Sequence, residues 1–310
     1  MQPPATGSTR LPRNPRPKPA TKPRFSRIEV VANLASGGVG ADAADVLAAI
    51  FAEYGISANI RAPDVGDLAG TLKAAVDAAP DLLVVLAGDG TARAAAELCG
   101  PDGPLLAPLP GGTMNMLPHA VYGARPWPEA LRLALDAGEV RMLGGGEVDG
   151  HRFLCAAILG SPALWAPARE AVRDGKLKLA WIRAQRAMRR AFTGRLRYAL
   201  DGGRRDKAEA LVLMCPIASR ALDENAQALE AAALNVHGAG EALRLGANAI
   251  LRDWRQDPAV DNRPCQAVRV WSSEGIPALL DGETVRLGAM AQVRYVPSVV
   301  RVLAPARPES

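Results

Sequence analysis

Three short glycine-rich segments hold most of the residues in this chain that could grip a phosphorylated ligand. They are Asn33-Leu34-Ala35-Ser36-Gly37-Gly38, Ala87-Gly88-Asp89-Gly90-Thr91 and Pro110-Gly111-Gly112-Thr113-Met114-Asn115. Glycines let backbone N–H groups approach an anion closely, and a helix N-terminus after each loop adds partial positive charge. Ser36, Thr91 and Thr113 supply hydroxyls, and Asp89 lies in the middle of the second segment. Any one of these segments alone reads as a turn that needs a positive φ. Three in succession move the reading to phosphate binding. None has the Walker pattern, because no Lys-Ser or Lys-Thr follows, and Ser36-Gly37-Gly38-Val39-Gly40 lacks the form of a dinucleotide fingerprint. Three Asp-Gly pairs, Asp149-Gly150, Asp201-Gly202 and Asp281-Gly282, read from composition and spacing as hairpin turns.

The elements that must position these loops follow from the apolar pattern. Ile28 to Asn33 reads as a strand and Asp42 opens an amphipathic helix with Val46, Leu47, Ile50 and Tyr54 on one side. A strand at 57–61 and a helix at about 65–79 come next. The continuous run Asp81 to Ala87 has the signature of a strand covered on both faces. The second glycine segment breaks it, Ala92 to Cys99 is a helix, Pro104 to Leu109 a strand, and the chain from Met114 onward is helical. This βαβα alternation predicts a parallel sheet flanked by helices, with ligand loops along one edge. After about Gly144 the rhythm becomes that of short strands: a hairpin over 147–155, then 195–200, 209–214, 267–271, 278–280 and 293–296. Helices are expected at 177–192 and 240–255. The fold class is therefore α/β, with an N-terminal parallel-sheet nucleotide-binding domain and a C-terminal antiparallel β-rich domain carrying inserted helices. The expected division is an arm at 1–26, a first domain at 27–143 and a second at 144–305, with a return of the last strands to the first domain left open.

Composition bounds the function. The chain has 310 residues, 49% hydrophobic and 22% charged, with a formal charge of +5. Residues 1–27 carry seven basic groups and no acid, so the rest holds 30 basic against 32 acidic side chains. A chain-wide nucleic-acid surface is not supported by that balance. The arm, with seven prolines in residues 1–26, reads as disordered and as able to sit near an anionic membrane. Cys99, Cys155, Cys215 and Cys265 are far apart and form no zinc spacing with His119, His151 and His237, so they read as buried thiols in a reducing compartment. No secretory signal or spanning stretch is visible, and the expectation is a cytoplasmic protein, peripheral to a membrane at most. His119 reads as structural. Trp181, Met188 and Phe192 read as a core stripe, and Arg183, Arg186 and Arg190 as a solvated basic face.

In combination the motifs resemble the diacylglycerol kinase catalytic-domain family, which includes soluble bacterial lipid kinases, sphingosine and ceramide kinases and, more distantly, NAD kinase. The family's Gly-Gly-Asp-Gly-Thr corresponds to Ala87-Gly88-Asp89-Gly90-Thr91. Its Pro-x-Gly-Thr-x-Asn corresponds to residues 110–115, its Asn-Pro-x-Ser-Gly to residues 33–37, and its Asp-Gly-Glu to Asp281-Gly282-Glu283. The resemblance implies ATP held between two domains and lined by Asn33, Ser36, Gly37, Gly88, Asp89, Gly90, Thr91, Gly112, Thr113 and Asn115. It implies Glu283 as acceptor of the lipid hydroxyl proton, and Asp89 as the group that binds Mg²⁺ or orders the phosphates. The reverse assignment, with Asp89 as base, stays open. ATP and Mg²⁺ are the implied cofactors, and the implied partner is a membrane lipid: diacylglycerol, ceramide or a sphingoid base.

The chain departs from the family at several positions. Ala87 replaces a glycine, Leu34 a frequent proline and Ala94 a frequent glutamate, with Glu97 one turn later. The acidic segment that binds structural Mg²⁺ in some relatives has no clear match around Leu222-Asp223-Glu224-Asn225. Two rival readings stand beside the lipid kinase. One is an NAD kinase, and the other a degenerate kinase fold that senses nucleotide or lipid.

Overall fold

Three apolar runs form the spine of the first sheet. In the computed structural model, β1 (Ile28–Ala32), β3 (Leu82–Ala87) and β4 (Leu105–Pro110) are buried at every position. A strand can be buried on alternating faces only if both faces of its sheet are covered. They pair in parallel, in the order β2 (Ala58–Arg61), β1, β3, β4. Ala32 pairs with Leu86 and Ala87 with Pro110, so the C-terminal ends of the three buried strands are level. The three glycine segments follow from those ends. The structure describes residues 25–63, 66–160, 196–223, 225–235, 258 and 260–305. The arm through residue 24, the expected helices at 177–192 and 240–255, and the Arg183, Arg186 and Arg190 face lie outside the described residues.

The helices bury small or aliphatic side chains against this sheet. α1 (Ala43–Glu53) inserts Leu47, Ile50 and Phe51, α2 (Leu68–Asp77) inserts Leu72, and α3 (Asp89–Cys99) lays down Ala92, Ala95, Ala96 and Cys99. α3 begins at Asp89, three residues earlier than the glycines suggest. Gly88 is its extended N-cap and Asp89 supplies an acid to the first turn. A glycine in a first turn costs little, because the N–H groups there have no intrahelical partner to lose. α4 (Met116–Tyr122) starts two residues later than expected, because Asn115 adopts the left-handed conformation and caps it. Tyr122 is fully buried and its hydroxyl donates to the Leu303 carbonyl at 2.7 Å. The helical stretch expected from Met114 onward is thus two helices, the second being α5 (Trp127–Ala137), which follows Pro126.

From α5 the chain enters β5 (Gly138–Val148), which runs unbroken through residues 143 and 144. β6 (His151–Phe153) and β7 (Ala156–Gly160) follow, then β8 (Leu196–Leu200), β9 (Asp206–Ala208), β10 (Ala210–Met214) and β11 (Leu229–Leu234). The last five strands are β12 (Val260–Cys265), β13 (Ala267–Trp271), β14 (Ile276–Leu280), β15 (Glu283–Leu287) and β16 (Met290–Pro305). A second sheet has the order β12-β11-β10-β7-β14-β15, antiparallel throughout. The long β16 joins the two regimes. It pairs in parallel with β4 at Val302–Leu106, and antiparallel with β5 and β13. One apolar cluster surrounds the parallel strands. A second lies between the second sheet and the β8-β13-β16 part of the first. The architecture is thus an N-terminal α/β unit with a C-terminal antiparallel β-rich sheet, as the sequence predicts. Strands β9, β11, β12 and β15 escaped the sequence reading because they are short, or of mixed polarity, or rich in alanine.

Candidate active site

The three glycine loops are stitched to one another by backbone. Gly38 N donates to Gly111 O at 3.0 Å, and Gly111 N donates to Ala87 O at 3.0 Å. Asn33 fastens the first loop to the sheet, its N–H on Leu86 O at 2.9 Å and its side-chain oxygen accepting from Ala35 N at 3.1 Å. The approach is so close that side chains are excluded. A Cβ at Gly112 would stand 2.7 Å from Gly88 Cα, and one at Gly111 would stand 2.8 Å from Ala87 N. These glycines are therefore required by contact rather than by φ.

Two adjoining cavities open over these loops. One, of about 550 Å³, is lined by Asn33, Ser36, Gly88, Thr91, Ala94 and Glu283, with Leu68, Ala69 and Leu72 of α2 as an apolar wall. The other, of about 520 Å³, is lined by Gly37, Asp89, Gly112, Thr113, Asp281 and Glu283, and shares Ser36, Gly88 and Gly90 with the first. The structure thus brings ten of the eleven residues expected from sequence to one cleft. Asn115 stands behind it. Its side chain accepts from Gly112 N at 2.7 Å and donates to Gly112 O at 2.9 Å, so it shapes the third loop rather than facing the cavity.

Asp89 and Glu283 reach the cleft in different ways. Asp89 Oδ1 accepts from Met116 N at 2.6 Å, at the N-terminus of α4. Burial raises its pKa from the ordinary value, opposed by the backbone N–H groups of Met116, Leu117 and Asn115 and by the charge of His119. Glu283 opens β15 and lies across the first turn of α3, where a Cβ on Gly90 would overlap its Oε1. Its carboxylate forms an ion pair with Arg93.

Two residues of this site carry roles that sequence reading missed. Arg93 sits one turn after Asp89 and Gly90 on α3, and its side chain is only 17% exposed. Its Nε and Nη1 are buried without a hydrogen-bond partner, and Glu97 stands at 3.8 Å. Each orphan donor costs roughly 1–3 kcal/mol. The helical spacing from Asp89 was a signal that could have found it. Asp281, 6% exposed, is the anchor of the turn. Its carboxylate accepts from Leu154 N, Cys155 N and Ala156 N at 2.6, 2.9 and 2.8 Å. Burial raises its pKa, opposed by those three N–H groups and by the Arg93 charge. All three Asp-Gly pairs do form turns, each with positive φ at both residues. Asp201 likewise accepts from a neighbouring strand, from Gln266 N at 2.9 Å and Ala267 N at 2.8 Å at the start of β13.

The described residues contain no group of three or more His, Cys, Asp and Glu placed to hold a metal ion. Among them, no helix is long and apolar enough to cross a membrane. All four cysteines are free and buried, and burial raises the thiol pKa of each.

Comparison with known proteins agrees with this layout. Residues 27–144 match the family model of the diacylglycerol kinase catalytic domain. No curated protein matches the sequence. A diacylglycerol kinase from Bacillus anthracis str. Sterne superposes with a TM-score of 0.64 at 15% identity, covering 91% of this chain and 98% of its own. An NAD kinase from Archaeoglobus fulgidus in complex with ATP gives 0.51 at 12% identity, with 89% and 93% covered. Yeast NADH kinase complexed with NADH gives 0.52 at 12% identity, with 94% and 89% covered. These identities speak for the fold. Over residues 27–144 the chain resembles the diacylglycerol kinase catalytic-domain family, and its fold is that of bacterial diacylglycerol kinase-like proteins, with NAD kinases as more distant neighbours.

Proposed function

We propose that the protein transfers the γ-phosphoryl group of ATP to a lipid hydroxyl, that of diacylglycerol or of a ceramide or sphingoid base. The observation that carries this reading is that Glu283, from the second sheet, shares one cleft with the hydroxyls and backbone of three glycine loops from the first. Phosphoryl transfer needs positioning and charge stabilisation more than covalent help from the protein. In this reading Asn33, Ser36, Gly37, Gly88, Gly90, Thr91, Gly112 and Thr113 hold the nucleotide, with Asn115 bracing the third loop. The apolar wall of Leu68, Ala69 and Leu72 takes the base.

No lysine or arginine lines either cavity among the described residues. Among the described residues, backbone N–H groups and the α3 N-terminus face the phosphates, and a divalent cation would add to them. Mg²⁺ takes oxygen ligands and is usually held by one or two carboxylates together with substrate phosphates. Asp89, half-buried in the cleft, suits that role. Bound Mg²⁺ would neutralise charge on the transferring phosphates. Glu283 takes the proton from the lipid hydroxyl as its oxygen bonds to phosphorus and ADP leaves. Asp89 is the alternative base. On this reading residues 27–143 form the nucleotide half and 144–305 the lipid half, and the working partner is an anionic membrane surface.

The test is transfer of labelled phosphate from ATP to a panel of diacylglycerol, ceramide, sphingosine and NAD. Labelled lipid is expected. Transfer to NAD alone would replace the reading with an NAD kinase. Nucleotide binding without transfer to any acceptor would leave a sensor.

A further inference from the structure

The outward face of the C-terminal part of the first sheet carries a row that runs from cations to an apolar end. The registers place Lys207 opposite Arg197, Arg197 opposite Trp271, and Trp271 opposite Met290, across β9, β8, β13 and β16. Side chains alternate along each strand. Leu196, Tyr198, Val268, Val270, Ala291 and Val293 point inward and are buried in the second core, so the row points out. Arg269, two residues before Trp271 and therefore on the same face, adds a fourth cation. The Arg205 guanidinium stands 4.8 Å from the centre of the Trp271 ring.

These cations are unusually uncompensated. Arg197, Arg205, Lys207 and Arg269 are exposed, and none has an ion-pair partner among the described residues. Asp206, one residue before Lys207, is opposite Tyr198 and so faces the other side of the ribbon. Glu147 lies beyond β16, opposite Arg294, and is engaged by Arg294 and Arg152. Like charges so close repel one another. At the apolar end of the row Met290 is 63% exposed beside the aromatic ring.

We propose that this face docks on an anionic lipid bilayer. The partner rests on the lipid-kinase reading above, since a substrate dissolved in a bilayer must be met there. The chemistry points the same way. Tryptophan settles where one end is apolar and the other wet, a flexible methionine packs among acyl chains, and the adjoining cations meet anionic headgroups. Nucleic acid would use the cations and the ring, but has no use for an exposed methionine.

The experiment uses the full chain and vesicles of phosphatidylcholine with a rising fraction of phosphatidylglycerol. Co-sedimentation should rise with phosphatidylglycerol and fall with salt, since the attraction reaches only about one Debye length, roughly 8 Å. Arg197→Glu with Arg269→Glu should weaken binding about tenfold or more, while activity on detergent-dispersed lipid is retained. Trp271→Phe should lose most of the tryptophan quenching that brominated lipids cause in the unaltered chain. A version lacking residues 1–26 separates the face from the arm. Unchanged binding in the double variant, loss of all binding with the arm, or preference for nucleic acid over vesicles would each overturn the proposal. Because sedimentation needs no turnover, binding that follows these residues would stand even if no lipid were phosphorylated.

Discussion

At the scale of single residues, two carboxylates reach the cleft from different parts of the fold, Asp89 from the start of α3 and Glu283 from the second sheet. Asp89 is half-buried on the N-terminus of α4, and burial holds its pKa above the ordinary carboxylate value of about 3.9. Its neutral form therefore survives to higher pH than that of an exposed aspartate. The acid limb of kcat should fall as pH drops through a value above that of an exposed aspartate, and Asp89→Asn should abolish transfer with the fold intact. The same raised pKa is a stability statement. The contribution is fully present below the unfolded pKa and is lost as pH rises through the folded one, so the Asn variant should show a flatter stability profile there. Retained turnover with ATP and Mg²⁺ in Asp89→Asn would remove it from the site.

Glu283 is expected to act with Arg93 as a unit. Glu283→Gln should lower kcat by about two to four orders of magnitude with nucleotide affinity little changed. Arg93→Gln should lose part of the same factor, since the guanidinium aims the carboxylate over α3. The double variant should lose no more than Glu283→Gln alone, which is the mark of a residue acting through another. Additive losses would make Arg93 an independent contributor, and Arg93→Lys should restore part of the rate.

At the scale of elements, two glycine substitutions should have opposite signatures. A methyl on Gly90 meets only the end of the Glu283 side chain, which can swing away. Gly90→Ala should therefore keep its melting temperature within a few degrees while losing kcat to about the extent of Glu283→Gln. A methyl on Gly112 meets the Gly88 backbone, which cannot move without separating two loops. Gly112→Ala should weaken nucleotide binding and lower the melting temperature together, by about 1–3 kcal/mol of overpacking strain. Calorimetry with a nucleotide titration distinguishes the two.

At the scale of the whole molecule, β16 contributes to both apolar cores, with Ala291 and Val293 in one and Val299, Val300, Val302 and Leu303 in the other. It pairs with β4, β5 and β13, receives the Tyr122 hydroxyl, and buries Val299, Val300, Val302 and Leu303. A chain ended at Ser298 should fail to accumulate as a folded monomer, with the first core opened along its edge. Removal of residues 1–24 should leave the melting temperature unchanged. Phe25 packs on the first core, and Ser26 and Arg27 are tied to Asp81 by hydrogen bonds of 2.6–2.9 Å, and all three remain in that truncation. Circular dichroism melts of the two truncations decide both.

What the sequence by itself determined was local. The buried parallel strands, the loops after them and the three Asp-Gly turns were legible, because apolar runs, glycine and Asp-Gly act within a few residues of themselves. So was the identity of most cleft residues, through motifs that demand hydroxyls and bare backbone. The tertiary structure decided what depends on distant partners. α3 starts at Asp89 with Glu283 lying where a side chain on Gly90 would stand, β5 and β16 are long because they pair with each other, and alanine-rich β11 is a strand because β10 and β12 flank it. It also decided that Glu283 lies on α3 and that Arg93 meets it there, a contact between residues far apart in the chain. Spacing along a chain carries no record of which side chain will arrive from the other sheet; only packing brings that charge into place.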